Sequence, residues 1–237
     1  MTTFYDLKKG KLLGRSYRVL DFIGNGWEGE VYKVEERCTG IVRAAKLFYR
    51  RKNNGDTPHI HYAQKLNKLR SCPIIMQYHF QDVIYLGKKK VDFLVSDFVD
   101  GEVLSDYIAR QKGKRLIPFE ALHLLYAVTL GVEHIHFLGD YHGDIHSDNI
   151  IIKKKGLGFS VHLIDFLHLG RPTKDKIQQD VYDLMNIFYE MIGGRTWYPR
   201  SGKNVKAIIM GRKHSLIRQH FNTAGHLRLF LENLDWD

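Results

Sequence analysis

One polar pair, one further aspartate and one lysine are the residues here whose type and spacing could do chemistry. Tyr141-His142-Gly143-Asp144-Ile145-His146-Ser147-Asp148-Asn149 runs into the β-branched stretch Ile150-Ile151-Ile152. A carboxylate and an amide in one loop, five positions apart, can divide two tasks. Asp144 can accept the proton of an attacking hydroxyl. The Asn149 carbonyl can ligate Mg²⁺, which prefers hard oxygen donors. Farther on, Val161-His162-Leu163-Ile164-Asp165-Phe166 ends an apolar strand on an aspartate. A charge in that position calls for a cation, which makes Asp165 the second candidate Mg²⁺ ligand. Lys46, in Arg43-Ala44-Ala45-Lys46-Leu47, is flanked by small and apolar residues. Such a lysine is poorly hydrated unless paired, and a nucleotide phosphate would supply the missing charge. The common alternative is a lysine on the wet face of an edge strand.

About twenty residues before Lys46 stands Ile23-Gly24-Asn25-Gly26-Trp27-Glu28-Gly29-Glu30-Val31-Tyr32, which fits G-x-G-x-x-G-x-V. Backbone N–H groups approach phosphates closely only where no Cβ intervenes. In a dinucleotide fold such glycines open a helix. Here the alternating Glu30-Val31-Tyr32-Lys33-Val34 predicts a strand, so a glycine-rich hairpin over phosphates fits better. Bulky Trp27 and acidic Glu28 do not help to bind phosphate and are expected to point outward.

The elements that must position these residues change character along the chain. The first hundred residues read as mainly β, with strands at 17–23, 30–35, 41–48, 78–86 and 91–97. One helix is expected over 57–70, carrying Ala63, Leu66 and Leu69. Beyond residue 100 the texture is helical. Phe119 to Leu138 holds Leu122, Leu125, Val128, Val132 and Ile135 at helical spacing, and Val181 to Ile192 forms a second helix. Short helices are expected at Gly202–Met210 and Thr223–Leu234. A β-rich half joined to a helical half makes an α+β chain.

Bulk properties bound the rest. The chain has 237 residues, 44% hydrophobic and 12% aromatic, enough for a real core. No stretch approaches the ~18–20 apolar residues of a membrane span. The start lacks a signal-peptide layout, and the two cysteines imply no disulfide framework, so a reducing cytoplasmic setting is expected. The net charge of +10 favours anionic partners. The short runs Lys8-Lys9, Arg50-Arg51-Lys52, Lys88-Lys89-Lys90 and Lys153-Lys154-Lys155 read mostly as solvated hairpin tips. Nucleic-acid motifs are not evident. The histidine pairs His59/His61 and His134/His136 show no zinc spacing with cysteine.

Taken in order, the glycine hairpin, Ala-Ala-Lys, His-x-Asp-(x)₄-Asn and Ile-Asp-Phe resemble the motifs of protein kinases. Phe93 to Ile108 resembles the kinase hinge and the helix after it, and Asp180-Val181-Tyr182-Asp183-Leu184 resembles the start of the large central helix. The resemblance spans residues 23–191. It implies a bilobal fold with a β-rich N-lobe at 1–98 and a helical C-lobe at 99–237, together one catalytic domain. It implies that Gly24, Gly26 and Gly29 cover the phosphates of ATP and that Val31 and Ala44 line the nucleotide site. Lys46 would pair with the α and β phosphates. Backbone groups of Asp97 and Val99 would hold adenine behind a small gatekeeper, Ser96. Asp144 would be the catalytic base, Asn149 and Asp165 the Mg²⁺ ligands, and Asp180 a support behind the catalytic loop.

The chain departs from that pattern in four ways. No glutamate stands where a helix should supply the partner of Lys46; Tyr62 or Gln64 is near that place, so a polar residue substitutes, an acid arrives from elsewhere, or activity is low. Gly143 replaces the arginine of His-Arg-Asp, and only 14 residues separate Asp165 from Asp180. That predicts a shortened activation segment without a phosphoswitch and a truncated C-lobe. His146 stands where serine/threonine kinases have lysine, so that His-Gly-Asp-x-His is similar to aminoglycoside phosphotransferases and choline kinases. A serine/threonine protein kinase is therefore weighed first. A kinase of small hydroxylated molecules, possibly acidic ones, comes second, and a nucleotide-binding pseudokinase scaffold third.

Overall fold

A computed structural model describes residues 4–49, 58–156, 158–166 and 170–235. The run Arg50-Arg51-Lys52 lies outside the described residues. The chain divides into two compact units, one from Met1–Arg70 and Met76–Val99, the other from Ser71–Ile75 and Asp100–Asp237.

The first unit is an antiparallel sheet. Its strands are β1 (Leu12–Leu13), β2 (Tyr17–Asn25), β3 (Gly29–Glu36), β4 (Val42–Phe48), β5 (Tyr78–Leu86) and β6 (Lys89–Asp97), in the order β1-β2-β3-β4-β6-β5. Side chains alternate across a strand, so each strand offers one set of residues to each face. Tyr17, Val19, Tyr32, Val34, Ala45, Leu47, Val91, Phe93 and Val95 form the core of one face. The N-terminal segment is tied to this face by Glu30, almost fully buried. Its carboxylate accepts the Tyr5 N–H at 2.6 Å and the Tyr49 hydroxyl at 3.1 Å, together with the Tyr32 hydroxyl. Helix α1 (Pro58–Lys68) of this unit packs against β5 and β6. Ala63, Leu66 and Leu69 are buried, as their spacing predicts.

The second unit is mainly helical. It contains β7 (Glu102–Val103), β8 (Ile150–Lys155) and β9 (Gly158–Leu163) in a three-stranded antiparallel sheet. Its helices are α2 (Leu104–Ala109), α3 (Pro118–Phe137), α4 (Lys174–Met191), α5 (Gly194–Trp197), α6 (Lys203–Ile209), α7 (His214–His220) and α8 (Ala224–Glu232). Helix α3 buries Leu125, Val128, Val132 and Ile135 against α4, α8 and β9, while Leu122 is half-buried. Among the described residues no helix is long and apolar enough to cross a membrane.

The mixed α+β expectation holds, strands first and helices after. The largest boundary difference is at α4: the helix expected from Val181 begins at Lys174. Thr173 caps it, its hydroxyl accepting the Lys176 N–H at 3.3 Å, so a polar first turn that periodicity overlooks is helical. Lys8-Lys9 and Lys88-Lys89-Lys90 lie at turns, and Lys153-Lys154-Lys155 ends β8 before a turn, as expected of solvated tips.

Candidate active site

In the first unit, register brings the sequence-predicted residues onto one sheet face. Across β3, β4 and β6, Val31 is opposite Lys46, Lys33 opposite Ala44, and Ala44 opposite Ser96. Directly opposed residues share a face, so Val31, Ala44, Lys46 and Ser96 stand together. This is the face opposite the Tyr32–Leu47–Val95 core. Gly24 pairs with Val31, which carries the glycine hairpin to the same edge. Lys46 is on an inner strand, 7% exposed, and not on an edge.

The three hairpin glycines have different physical reasons. A Cβ on Gly29 would stand 2.0 Å from the Leu47 carbonyl oxygen, so glycine there lets β3 approach β4. At Gly24 and Gly26 a Cβ would meet nothing within 4 Å, and neither has a positive φ. Neither crowding nor a positive φ requires glycine at those two positions, and both leave room for a closely approaching group.

Glu28 corrects the sequence reading. It does not point outward: its carboxylate lies 3.0 Å from Lys46 Nζ, and the side chains are only 14% and 9% exposed. The Tyr62 ring centroid is 4.5 Å from the same ammonium, while Gln64 is exposed. Trp27 is exposed, as expected. The signal that could have found Glu28 was the coincidence of an acid at the hairpin tip with an acid-free helix.

At the end of β6, the Asp97 N–H donates to the Gln77 carbonyl at 3.0 Å, so of its backbone groups only the carbonyl is left to meet a ligand. The Ser96 hydroxyl reaches that carbonyl at 3.4 Å. The Asp97 side chain accepts from Arg43 Nη1 at 2.8 Å and the Gln77 N–H at 3.0 Å, and lies 2.6 Å from His79 Nε2. Burial pushes this carboxyl upward, but the His79 and Gln77 hydrogen bonds and the Arg43 charge outweigh it and hold it below the usual range.

In the second unit, Asp144 and Asn149 are locked together. Asn149 Nδ2 donates to the Asp144 carbonyl at 2.9 Å and to its carboxylate at 3.2 Å, and lies 2.9 Å from His146 Nε2. With the nitrogen committed, Oδ1 is the branch of the amide left for a cation, the donor Mg²⁺ prefers. The Ile164 N–H donates to the Asn149 carbonyl at 3.0 Å, which sets Asp165 one residue beyond that bond. Asp165 has φ 54°, a left-handed conformation uncommon outside glycine. Strain of this kind is maintained by its surroundings and is frequent at functional sites. Among the described residues no group of three or more His, Cys, Asp or Glu side chains could hold a metal ion. An ion held by Asn149 and Asp165 would have to take its remaining ligands from phosphate and water. His136, from one of the histidine pairs, bonds Asp180 at 3.0 Å.

Asp180, fully buried on α4, accepts the backbone N–H groups of His142 at 2.7 Å and Gly143 at 2.8 Å. Gly143 has φ 86°, which explains a glycine in that position. The Phe166 ring lies tilted against the His142 ring, with centroids 4.6 Å apart. Beside Asp144 is a cavity of about 240 Å³ lined by Ile145, His146, Asp183, Asn186, Ile187 and Glu190. Burial pushes the Asp183 carboxyl up to about 7. The charges of Asp180 and Asp144 add to this, and hydrogen bonds from Gln179 and Asn186 oppose it. Sequence reading did not single out Asp183; only the fold brings α4 against the loop.

One family model, that of the protein kinase domain, matches residues 17–174. The chain is 30% identical over 169 residues to the serine/threonine-protein kinase CBK1 of Candida albicans, covering 69% of this chain and 21% of that protein. It is 28% identical over 170 residues to the serine/threonine-protein kinase sax-1 of Caenorhabditis elegans, covering 70% and 33%. It is also 28% identical to the human dual specificity testis-specific protein kinase 1 over 158 residues, 63% of this chain and 23% of that protein. The chain thus spans a third or less of the length of these relatives.

Proposed function

Because this chain belongs to the protein kinase domain family, we propose that it is an ATP- and Mg²⁺-dependent phosphotransferase acting on serine or threonine hydroxyls of a protein. The match covers the glycine hairpin, Lys46, the Asp144 loop and Asp165. The relatives named above supply the serine/threonine assignment.

The observation that carries the reading is the Asp144–Asn149 lock on a loop held by Asp180. Phosphoryl transfer asks the protein mainly for positioning and for neutralising charge. In this reading Asp144 orients the acceptor hydroxyl and takes its proton. Asn149 and Asp165 would hold Mg²⁺, which supplies charge neutralisation at the phosphates. Lys46 would meet the α and β phosphates under Gly24, Gly26 and Gly29. Val31 and Ala44 would line the nucleotide site, and the Asp97 carbonyl and Val99 backbone would hold adenine. Residues 1–98 and 99–237 would then act as one catalytic domain.

The cavity beside Asp144 is where an acceptor would enter. Its Asp183 and Glu190 carboxylates disfavour an acidic group at that point. A small-molecule acceptor is the second reading. It is favoured by the seven residues between Phe166 and α4, which leave little chain for docking a peptide.

The test is turnover with labelled ATP over protein, peptide and small-molecule panels, beside the Asp165→Asn variant. Label on serine or threonine that vanishes in Asp165→Asn supports the proposal. Label confined to small molecules favours the second reading. Equal near-zero ATP consumption by both proteins refutes catalysis.

A further inference from the structure

A buried ammonium needs a carboxylate or an equivalent partner, and the helix beside Lys46 has none to offer. Helix α1, Pro-His-Ile-His-Tyr-Ala-Gln-Lys-Leu-Asn-Lys, contains no acid. Its approach to Lys46 is the Tyr62 ring, 4.5 Å from Nζ, an attraction of the cation–π kind that neutralises no charge. Glu28 supplies the charge, 3.0 Å away and largely shielded from water. Its backbone is fixed in place. The Glu28 carbonyl accepts the Tyr49 N–H at 2.8 Å, the Gly26 N–H donates to the Gly29 carbonyl at 2.9 Å, and Gly29 abuts the Leu47 carbonyl.

We propose that Glu28 is the positioning residue of Lys46, delivering from the glycine hairpin the carboxylate that orients the ammonium for phosphate. The inference rests on the reading of Lys46 as the phosphate-binding lysine. It makes hairpin placement and lysine orientation a single event, because one short segment would cover the phosphates and hold the group that meets them.

The test compares wild type, Glu28→Gln, Glu28→Asp and the double variant Glu28→Gln/Tyr62→Glu, with Mg²⁺-ATP turnover and thermal unfolding measured on each. Glu28→Gln is expected to lower kcat/KM for ATP about 10- to 100-fold, mostly in kcat. Tyr62→Glu, which places a new carboxylate over the same ammonium, is expected to restore part of that loss. A purely structural role would not be rescued from another element. Wild-type kinetics in Glu28→Gln, or tighter ATP binding that marks Glu28 as a competitor of phosphate, would overturn the proposal. Should Glu28→Gln not fold, Glu28→Asp keeps the charge and shortens the arm. Reduced kcat with an unchanged unfolding midpoint supports the idea, and unchanged kcat defeats it. A readout independent of turnover is acylation of Lys46 by an amine-reactive reagent, followed by peptide mass spectrometry. It is expected to run at least about threefold faster in Glu28→Gln, and equal rates remove the pairing. Absence of ATP binding and turnover in wild type would instead refute the phosphotransfer reading, leaving the labelling result to decide the pairing.

Discussion

The carboxylate of Asp180 accepts the backbone N–H of Gly143 at 2.8 Å from a position with no solvent exposure. It holds the His142 N–H with its other oxygen and the His136 ring beside it. One side chain on α4 thereby fixes the loop that carries Asp144.

Replacing Asp180 by alanine leaves two buried N–H groups without acceptors. The expected cost is about 2–4 kcal/mol, read from denaturant unfolding. Asp180→Asn keeps one acceptor oxygen and is expected to lose less.

Asp144 is the reverse case. Its side chain is 37% exposed, so Asp144→Asn is expected to leave the unfolding midpoint nearly unchanged. Turnover should fall about 10²- to 10⁴-fold, measured as initial rates with saturating Mg²⁺-ATP. Loss of stability without loss of rate would place Asp144 in a structural role.

The hairpin glycines should separate in the same pair of measurements. Gly29→Ala drives a methyl into the Leu47 carbonyl and is expected to cost about 3 kcal/mol. Gly24→Ala and Gly26→Ala enter open space and should change stability by no more than about 0.5 kcal/mol. Their effect is expected instead as a several-fold rise in the KM for ATP.

Asp183 predicts a pH dependence of stability. Its carboxyl titrates near 7 in the folded chain, above its unfolded value, because burial disfavours the charge. The folded state therefore binds the extra proton. The stabilisation is full below the unfolded value near pH 4 and is lost as pH rises toward 7. Asp183→Asn should remove this slope. Against that variant, wild type is expected to lose on the order of 2 kcal/mol between pH 4 and 7, once partial solvent access is allowed for. Unfolding curves across that range measure it, and parallel curves would refute the assignment.

Much of the fold was legible because apolar periodicity survives in single segments. Ala63 and Leu66 in α1, and Val128, Val132 and Ile135 in α3, are buried as their spacing demands. Helix α4 was misjudged at its start because its first turn, Lys174-Asp175-Lys176, is polar and is specified by the Thr173 cap. The outward placement expected of Glu28 failed for a different reason. A side chain at a turn has no alternation rule to obey, and its direction is set by which buried cation it can reach.

What the sequence determined by itself was the inventory: a glycine hairpin, a lysine in an apolar strand, and an aspartate and asparagine sharing one loop. Those follow from local chemistry, because neighbours along the chain are neighbours in space. The tertiary structure decided the pairings. Glu28 meets Lys46, eighteen positions away, through the register of β3 on β4, and Asp180 meets Gly143 through the packing of α4 behind the loop. Desolvation is the physical reason: a charge removed from water must find its partner wherever the fold brings one, and no local spacing encodes that distance.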